Sequence, residues 1–255
     1  MDLAPPDQTK FHTLSDGSRR AYDLLPGRPG VVFLHGLMSD RGGTKAQALE
    51  AHCRAKGYGF LRFDMFGHGQ SSGRFEEGGI SRWTADAVAL IDALTTGPQL
   101  LVGSSMGGWV MIQTALARSE RIKGCVGIAA APDFTADMRA GFSADQQAAL
   151  RATGIIHYQS DYDTRPYPIT AHLLDDGQFN MVLGAPIPIT CPVRLLHGQE
   201  DTGVPWQKSL ALAERITGGD VDVLLIKDGD HRLSRPADLA KLCAMLDELV
   251  DKVSL

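Results

Sequence analysis

Gly103-Ser104-Ser105-Met106-Gly107-Gly108 is the stretch that decides the fold of this chain. Three apolar residues, 100–102, precede it and predict a short buried strand, and the small and apolar residues 109–117 after it predict a buried helix. A strand, a tight turn and a helix are the context that a G-x-S-x-G nucleophile elbow requires, with Ser105 as its central residue. A glycine-rich connection without chemistry would match the same short motif, so the rest of the chain has to decide between them.

The glycines on either side of this serine have a steric reason. A strained backbone at the centre of the elbow brings its neighbours too close for side chains, so Gly103 and Gly107 are needed. The hydroxyl of Ser105 is then held at the top of the sheet. The backbone N–H of Met106 is predicted to face the place where an oxyanion would form, helped by the positive end of the helix.

Length and composition indicate one globular α/β domain with an insertion. The chain has 255 residues, 44% of them hydrophobic and 22% charged, which is enough for a sizeable core. Its net charge is −5 and no cluster of lysine and arginine exceeds a pair, which argues against a nucleic-acid partner.

The termini and cysteines predict a cytoplasmic protein. Residues 1–7 have neither the basic nor the apolar region of a signal peptide, and no apolar run is long enough for an integral membrane segment. The widely spaced cysteines form no metal-ligand pattern, so we expect buried, reduced thiols at Cys53, Cys125, Cys191 and Cys243.

Apolar strands alternate with helices along most of the chain. An opening hairpin is predicted from residues 11–14 and 21–25. The later strands are predicted at 31–35, 60–64, 100–102, 122–129, 192–197 and 221–226. The helices are predicted at 44–55, 83–94, 109–117, 206–216 and 236–249. This alternation predicts a mostly parallel central sheet with helices on both faces.

Residues 132–188 interrupt the alternation. They carry six aromatic residues, several prolines and no clear strand, with short helices predicted at 143–151 and 169–174. A loop of this length without structure would be unusual, and the aromatics argue against disorder. We therefore expect a small helical cap at 132–188, inserted into a core formed by residues 1–131 and 189–255.

The loops after the strands supply partners for the serine. In an open parallel sheet, functional loops follow the carboxyl ends of the strands. Leu37, after the first parallel strand, offers a second backbone N–H to the oxyanion beside Met106. Asp201 follows the penultimate strand and His231 the last, so Ser105, Asp201 and His231 stand in the Ser…Asp…His order of a catalytic triad.

Each of these residues has a simpler alternative. Asp201 would also serve as a turn or helix-capping residue, and His231 would also fit a surface loop. Glu200 and Asp133 are the alternative carboxylates for the acid. Neither Asp228 nor Asp230 is an obvious orienting partner, because both are too close in sequence to the histidine.

The remaining polar residues at strand ends are expected to be structural. His35 and His197 each precede a glycine, which favours hydrogen bonding within the loop. His68 is expected to shape its glycine-rich loop, and Asp64 to anchor a turn in preference to binding a metal.

With these motifs placed, nearly the whole chain resembles an α/β-hydrolase. The superfamily pattern lies in residues 63–71 and 197–205. A closer resemblance, to the mitochondrial abhydrolase-domain family of palmitoyl-protein thioesterases and acyl-glucuronide esterases, lies in residues 42–46, 103–109, 191–198, 204–206 and 230–232. The resemblance implies Ser105, Asp201 and His231 as nucleophile, acid and base. The pair His35-Gly36 departs from that family, and the absence of its targeting segment suggests a bacterial-type relative.

The expected function is a serine hydrolase that cleaves carboxylic esters or acyl thioesters through an acyl-enzyme on Ser105. Its substrate would be a small-molecule ester or thioester, or an acylated protein, and no metal or organic cofactor is implied. One alternative is a serine aminopeptidase of the same fold, which needs an acidic patch that Asp161, Asp163, Asp175 and Asp176 could supply. Another is a non-catalytic ligand-binding member.

Overall fold

The computed structural model describes residues 9–159 and 166–253. The described strands are β1 (Lys10–Thr13), β2 (Arg19–Leu25), β3 (Gly30–Leu34), β4 (Gly59–Phe63), β5 (Gln99–Ser104), β6 (Ile122–Ile128), β7 (Ile155–Tyr158), β8 (Tyr167–Thr170), β9 (Val193–Gly198) and β10 (Val221–Ile226). Eight of them form one sheet in the order β1-β2-β4-β3-β5-β6-β9-β10. Strand β2 is antiparallel to both its neighbours, and all later pairs are parallel. The prediction of an opening hairpin and a mostly parallel sheet is confirmed.

Helices cover both faces of this sheet, as predicted. The described helices are α1 (Thr44–Lys56), α2 (Ile80–Leu94), α3 (Met106–Ala117), α4 (Phe134–Gly141), α5 (Ala144–Thr153), α6 (Ala171–Phe179), α7 (Gln207–Arg215) and α8 (Pro236–Lys252). Helices α1 and α8 share one apolar core with the sheet, and α2, α3 and α7 share the other. Helix α1 buries Ala46, Leu49 and Cys53, a stripe at helical spacing, and is capped by Gly57 in the left-handed conformation. Of the described helices, none has the combined length and apolarity needed to cross a membrane.

Strand β5 lies near the middle of the sheet, and all six of its residues are buried. Burial on both faces explains why it reads as a continuous apolar run without alternation. Its carboxyl end, at Ser104, lies beside the ends of β3 and β6. The loops after these strands therefore meet at one edge.

The segment between β6 and β9 contains helices α4, α5 and α6 and an antiparallel hairpin of β7 and β8. The expectation of no strand here was wrong. Each strand has only four residues and Pro168 lies within β8, so the alternation is too short to stand out. The predicted helix at 169–174 also begins too early, because Thr170 ends β8 and caps α6 by accepting a hydrogen bond from the amide of Leu173 at 3.0 Å.

Candidate active site

The turn between β5 and α3 holds Ser105 in a strained conformation. Its φ and ψ are 55° and −121°, a region that side-chain-bearing residues rarely adopt. The backbone hydrogen bonds on both sides hold it there: its amide donates to the carbonyl of Ile128 at 2.9 Å, and its carbonyl accepts from the amide of Gly108 at 2.8 Å. The sequence motif thus forms the sharp strand-to-helix turn that was predicted.

The flanking glycines are required by close backbone approach. A Cβ placed on Gly103 would lie 2.3 Å from the carbonyl oxygen of Gly107. A Cβ placed on Gly107 would lie 2.1 Å from the carbonyl oxygen of Leu34, at the end of β3. No side chain fits at either position without moving the backbone.

Three predicted residues meet at this turn although they are far apart in sequence. The Nε2 atom of His231 lies 3.1 Å from the Oγ atom of Ser105, and its Nδ1 atom lies 2.7 Å from Oδ2 of Asp201. An ionised carboxylate only accepts hydrogen bonds, so Nδ1 carries the proton and Nε2 is left to accept from the serine hydroxyl. A hydroxyl, an imidazole and a carboxylate therefore form one hydrogen-bond chain.

The carboxylate of Asp201 does two things at once. Its Oδ1 accepts from the amides of Gly203 and Val204 at 2.9 and 2.8 Å, which makes the turn, while Oδ2 faces His231. Its side chain is fully buried, and burial by itself would raise its pKa. Hydrogen bonds from His197 and His231 outweigh burial and hold the pKa of Asp201 well below its ordinary value. The bonds that form the turn and the bond to His231 therefore fall on different oxygens of one carboxylate.

The loop after β3 lies beside the serine. The Nδ1 atom of His35 lies 2.8 Å from the carbonyl oxygen of Gly36, and its Nε2 accepts from the amide of Met65 at 3.1 Å. Because Nε2 is the acceptor, Nδ1–H is the donor to Gly36. Burial lowers the pKa of His35 to about 4, so the ring is neutral at physiological pH. The prediction of a hydrogen-bonding role for His35 is confirmed.

A cavity of about 760 Å³ opens over these residues. Ser105, His231, Leu37 and Met106 all line it. Its other apolar lining comes from both the core and the inserted segment and includes Met38, Phe134, Met138, Tyr158, Tyr167 and Val204. Its charged lining consists of Asp40, Lys45, Asp137, Lys208 and Arg232. The size falls within the range of small-molecule binding sites.

Comparison with known proteins gives the family. A family described as "Serine aminopeptidase, S33" matches residues 27–173. The mouse protein named palmitoyl-protein thioesterase ABHD10, mitochondrial, is 41% identical over 246 residues, covering 96% of this chain and 83% of the relative. The chain belongs to the α/β-hydrolase superfamily.

Solved structures of other α/β-hydrolases agree with this assignment. The structure of alpha/beta hydrolase domain-containing protein 10 from mouse matches with a TM-score of 0.91 and 39% identity, covering 97% of this chain and 100% of that one. The structure of a protein from Agrobacterium vitis S4 matches with a TM-score of 0.92 and 36% identity, covering 96% of this chain and 100% of that one. The predicted α/β-hydrolase fold is confirmed.

His197 contributes more to this α/β-hydrolase than the loop role expected of it. Its Nε2 lies 2.9 Å from the carbonyl oxygen of Val204 and 3.2 Å from Oδ2 of Asp201, and its Nδ1 lies 2.7 Å from the hydroxyl of Ser209. Both partners of Nε2 are acceptors, so the proton is on Nε2 and the Ser209 hydroxyl donates to Nδ1. His197 thus gives Oδ2 of Asp201 a second hydrogen-bond donor besides His231. Its place four residues before Asp201, at the end of strand β9, was the available signal.

The alternative carboxylates have other partners. Asp133 has a φ of 59° and accepts from the amides of Val182 and Leu183, both at 2.9 Å, so it connects the start of α4 to the segment after α6. Glu200 is exposed, and its backbone amide donates to the carbonyl of Gly229 at 2.9 Å.

The loop after β4 confirms two structural predictions. Asp64 accepts from the amides of Arg41 and Gln70 at 2.7 and 2.9 Å and pairs with the Arg41 guanidinium, so it anchors the turn. The Nδ1 atom of His68 lies 3.0 Å from the carbonyl oxygen of Phe66, and its ring packs edge-on against Trp83. Among the described residues, no group of three or more acidic, histidine or cysteine side chains could hold a metal ion.

The cysteine prediction is right in part. All four thiols are free, and Cys53 and Cys125 are buried. Cys191 and Cys243 are half-buried.

Proposed function

We propose that this α/β-hydrolase cleaves carboxylic esters or acyl thioesters through an acyl-enzyme on Ser105. The observation that carries the proposal is the unbroken hydrogen-bond chain from Ser105 through His231 to Asp201, at the floor of a partly apolar cavity. A neutral hydroxyl needs a base within hydrogen-bond reach, and the base needs an acid to fix its tautomer.

The reaction follows from the proton positions. Ser105 Oγ attacks the acyl carbonyl while its proton passes to Nε2 of His231. The imidazolium that forms is stabilised by Asp201, whose pKa is low enough to keep it ionised. His231 then gives the proton to the leaving oxygen or sulfur, and later removes one from the water that hydrolyses the acyl-enzyme.

Two backbone amides are proposed to hold the oxyanion. Met106 is the first residue of α3, so its N–H has no partner within the helix and lies at the positive end of the helix dipole. The second donor is Leu37, whose N–H belongs to the same planar peptide as the Gly36 carbonyl. Because C=O and N–H point in opposite directions across a trans peptide, His35 turns the Leu37 N–H away from its own ring by holding the Gly36 carbonyl.

Substrate preference is proposed from the cavity and the relatives. The mammalian relatives are named palmitoyl-protein thioesterases, which supports acyl thioesters as a substrate class. The apolar side chains of Phe134 and Met138 on α4 and of Tyr158 and Tyr167 on the hairpin would take the acyl chain, so residues 132–188 act as a cap. The leaving group would be a small molecule or a protein thiol. A cytoplasmic location stays a prediction, since these relatives are named mitochondrial.

The aminopeptidase alternative has less support. Among the acids suggested for an amine-binding patch, Asp175 pairs with Arg139 at 2.5 Å and Asp176 accepts from the amide of Ser81 at 2.9 Å, and neither lines the cavity. The other two, Asp161 and Asp163, lie outside the described residues.

The test compares matched substrates. We would measure kcat/KM for oxygen esters and thioesters of increasing acyl length, and for an amino-acid arylamide, with the parent protein and Ser105→Ala. We expect activity that rises with acyl length and is lost in the variant. Cleavage of the arylamide alone would favour the peptidase, and activity that survives in Ser105→Ala would refute the mechanism.

A further inference from the structure

Two lysines line the cavity, and their partners differ. The Nζ atom of Lys208 lies 2.5 Å from Oδ2 of Asp137 and 3.1 Å from the carbonyl oxygen of Pro132, so its charge is neutralised by a carboxylate. The Nζ atom of Lys45, on the first turn of α1, instead donates to the carbonyl oxygen of Arg232 at 2.5 Å. Within the described part of the chain, Lys45 has no carboxylate within ion-pair distance.

The surroundings of Lys45 increase the fraction of its amine that is neutral. Burial lowers its pKa to about 8, the nearby charge of Asp230 opposes this, and that of Arg232 adds to it. The other titratable groups that line the cavity are Asp40, Asp137, Tyr158, Tyr167, Lys208 and His231. With a pKa of about 8, roughly a quarter of the Lys45 side chains are neutral at pH 7.5, against about one in a thousand for an ordinary lysine.

We propose that Lys45 is a site of Nε-acylation by the acyl thioesters that enter the cavity. The inference rests on the proposed function, because it requires thioesters to bind beside Ser105. Lys45 meets the requirements for an amine nucleophile: it lines the same cavity as the reacting serine, it is partly buried, and a neutral carbonyl is its hydrogen-bond partner.

The reaction balances without any further reagent. The lone pair of the neutral Lys45 amine attacks the thioester carbonyl, an amide C–N bond forms and the C–S bond breaks. The leaving thiolate takes up the proton that the amine nitrogen loses, so the products are an acylated Lys45 and a free thiol. Hydrolysis at Ser105 consumes the same thioester, so acylation is favoured when hydrolysis is slow.

The experiment uses full-length Ser105→Ala protein and an uncharged probe, the octanoyl thioester of N-acetylcysteamine. After incubation at pH 7, 8 and 9, a glutamate-specific protease and mass spectrometry give the octanoyl occupancy of each lysine. We expect Lys45 to exceed Lys208 at least tenfold, and its initial rate to rise severalfold from pH 7 to 8 and then to level off. A ketone analogue of the thioester should protect Lys45 by occupying the cavity.

Two matched variants sharpen the result. Lys45→Arg keeps a cation that can donate to the Arg232 carbonyl, and it should remove the adduct while leaving the labelling of other lysines unchanged. Lys208→Arg should leave the Lys45 adduct intact. Equal labelling of Lys45 and the exposed lysines, or an unmodified Lys45, would overturn the inference.

The parent protein separates this inference from the proposed function. If the parent hydrolyses the probe but Lys45 is not acylated in Ser105→Ala, only the inference fails. If the parent does not hydrolyse any ester or thioester while Lys45 is acylated, the proposed function fails and the modification site stands.

Discussion

Two regions of the molecule hold their residues by different means: the edge of the sheet where the loops after β3, β5 and β6 meet, and the inserted segment of residues 132–188. At the edge, backbone lies directly against backbone: a Cβ on Gly103 would come within 2.3 Å of the Gly107 carbonyl oxygen. Within the inserted segment, a side chain joins two stretches of the chain: the carboxylate of Asp133 accepts from the amides of Val182 and Leu183. Ser105 thus lies on the part of the molecule where backbone packs directly against backbone.

This difference separates two properties of the enzyme. Backbone-to-backbone contact fixes the position of Ser105, the proposed nucleophile, so a change there is expected to act on the chemical step. The inserted segment lines the cavity through Phe134, Met138, Tyr158 and Tyr167, so a change there is expected to act on which substrates fit. We expect substitutions at the edge to lower kcat and substitutions in the insertion to alter KM and acyl-length preference.

The largest expected effect at the edge is that of Asp201→Asn. The amide can keep the turn by accepting from the Gly203 and Val204 amides, but its NH2 favours the wrong tautomer of His231. Loss of the orienting carboxylate costs about 10⁴-fold in kcat in serine hydrolases of this geometry. Steady-state kinetics on the preferred thioester, with Glu200→Gln as the control, checks this. A loss below tenfold with unchanged folding would show that Asp201 serves only the turn.

Acid should lower the free energy of unfolding of the protein through the buried histidines His35 and His68. The pKa of His35 is about 4 in the folded protein and about 6.5 when unfolded, so only the unfolded chain binds a proton between these values. Stability therefore falls as the pH drops from 6.5 to 4, by roughly 3 kcal/mol for this residue. Burial lowers the pKa of His68 to about 3, and it acts in the same direction.

Urea unfolding at several pH values between 7 and 4 measures this loss. The free energy of unfolding should fall less steeply in His35→Gln than in the parent, since glutamine does not titrate. Parallel slopes for the two proteins would show that His35 is not protonated on unfolding in this range.

His35 also offers a smaller test of the oxyanion donors. His35→Phe removes the bond to the Gly36 carbonyl and frees the Gly36–Leu37 peptide to rotate, whereas His35→Gln can keep both a donor and an acceptor. Losing an oxyanion donor outright costs about 10²–10³-fold, so a misoriented one should cost about 10- to 100-fold in kcat. We expect KM to change little, and a boronic-acid inhibitor to bind His35→Phe more weakly by a similar factor. Equal activities of the two variants would exclude a positioning role.

The same physical difference decides what the sequence could predict. The elbow could be predicted because backbone crowding demands glycine at 103 and 107. The meeting of Ser105, Asp201 and His231 could be predicted because each of them follows an apolar strand. The hairpin of the insertion was missed because strands of four residues, one with Pro168, show almost no periodicity. The hydrogen bond from His197 to Asp201 was missed because it depends on the conformation of the loop after β9, which the sequence pattern does not specify.

The smallest expected effect lies in the insertion, with Asp133→Ala. This change leaves the half-buried amides of Val182 and Leu183 without an acceptor, which costs about 1–3 kcal/mol for each group that water does not reach. Because Asp133 precedes α4, which carries Phe134 and Met138 of the cavity wall, we expect KM to rise a few-fold for long acyl chains and to stay constant for acetyl substrates. Asp133→Asn retains one acceptor oxygen, so its KM for long acyl chains should lie between that of the parent protein and that of Asp133→Ala. A uniform loss of kcat at every acyl chain length would show that the insertion affects the chemical step as well as substrate preference.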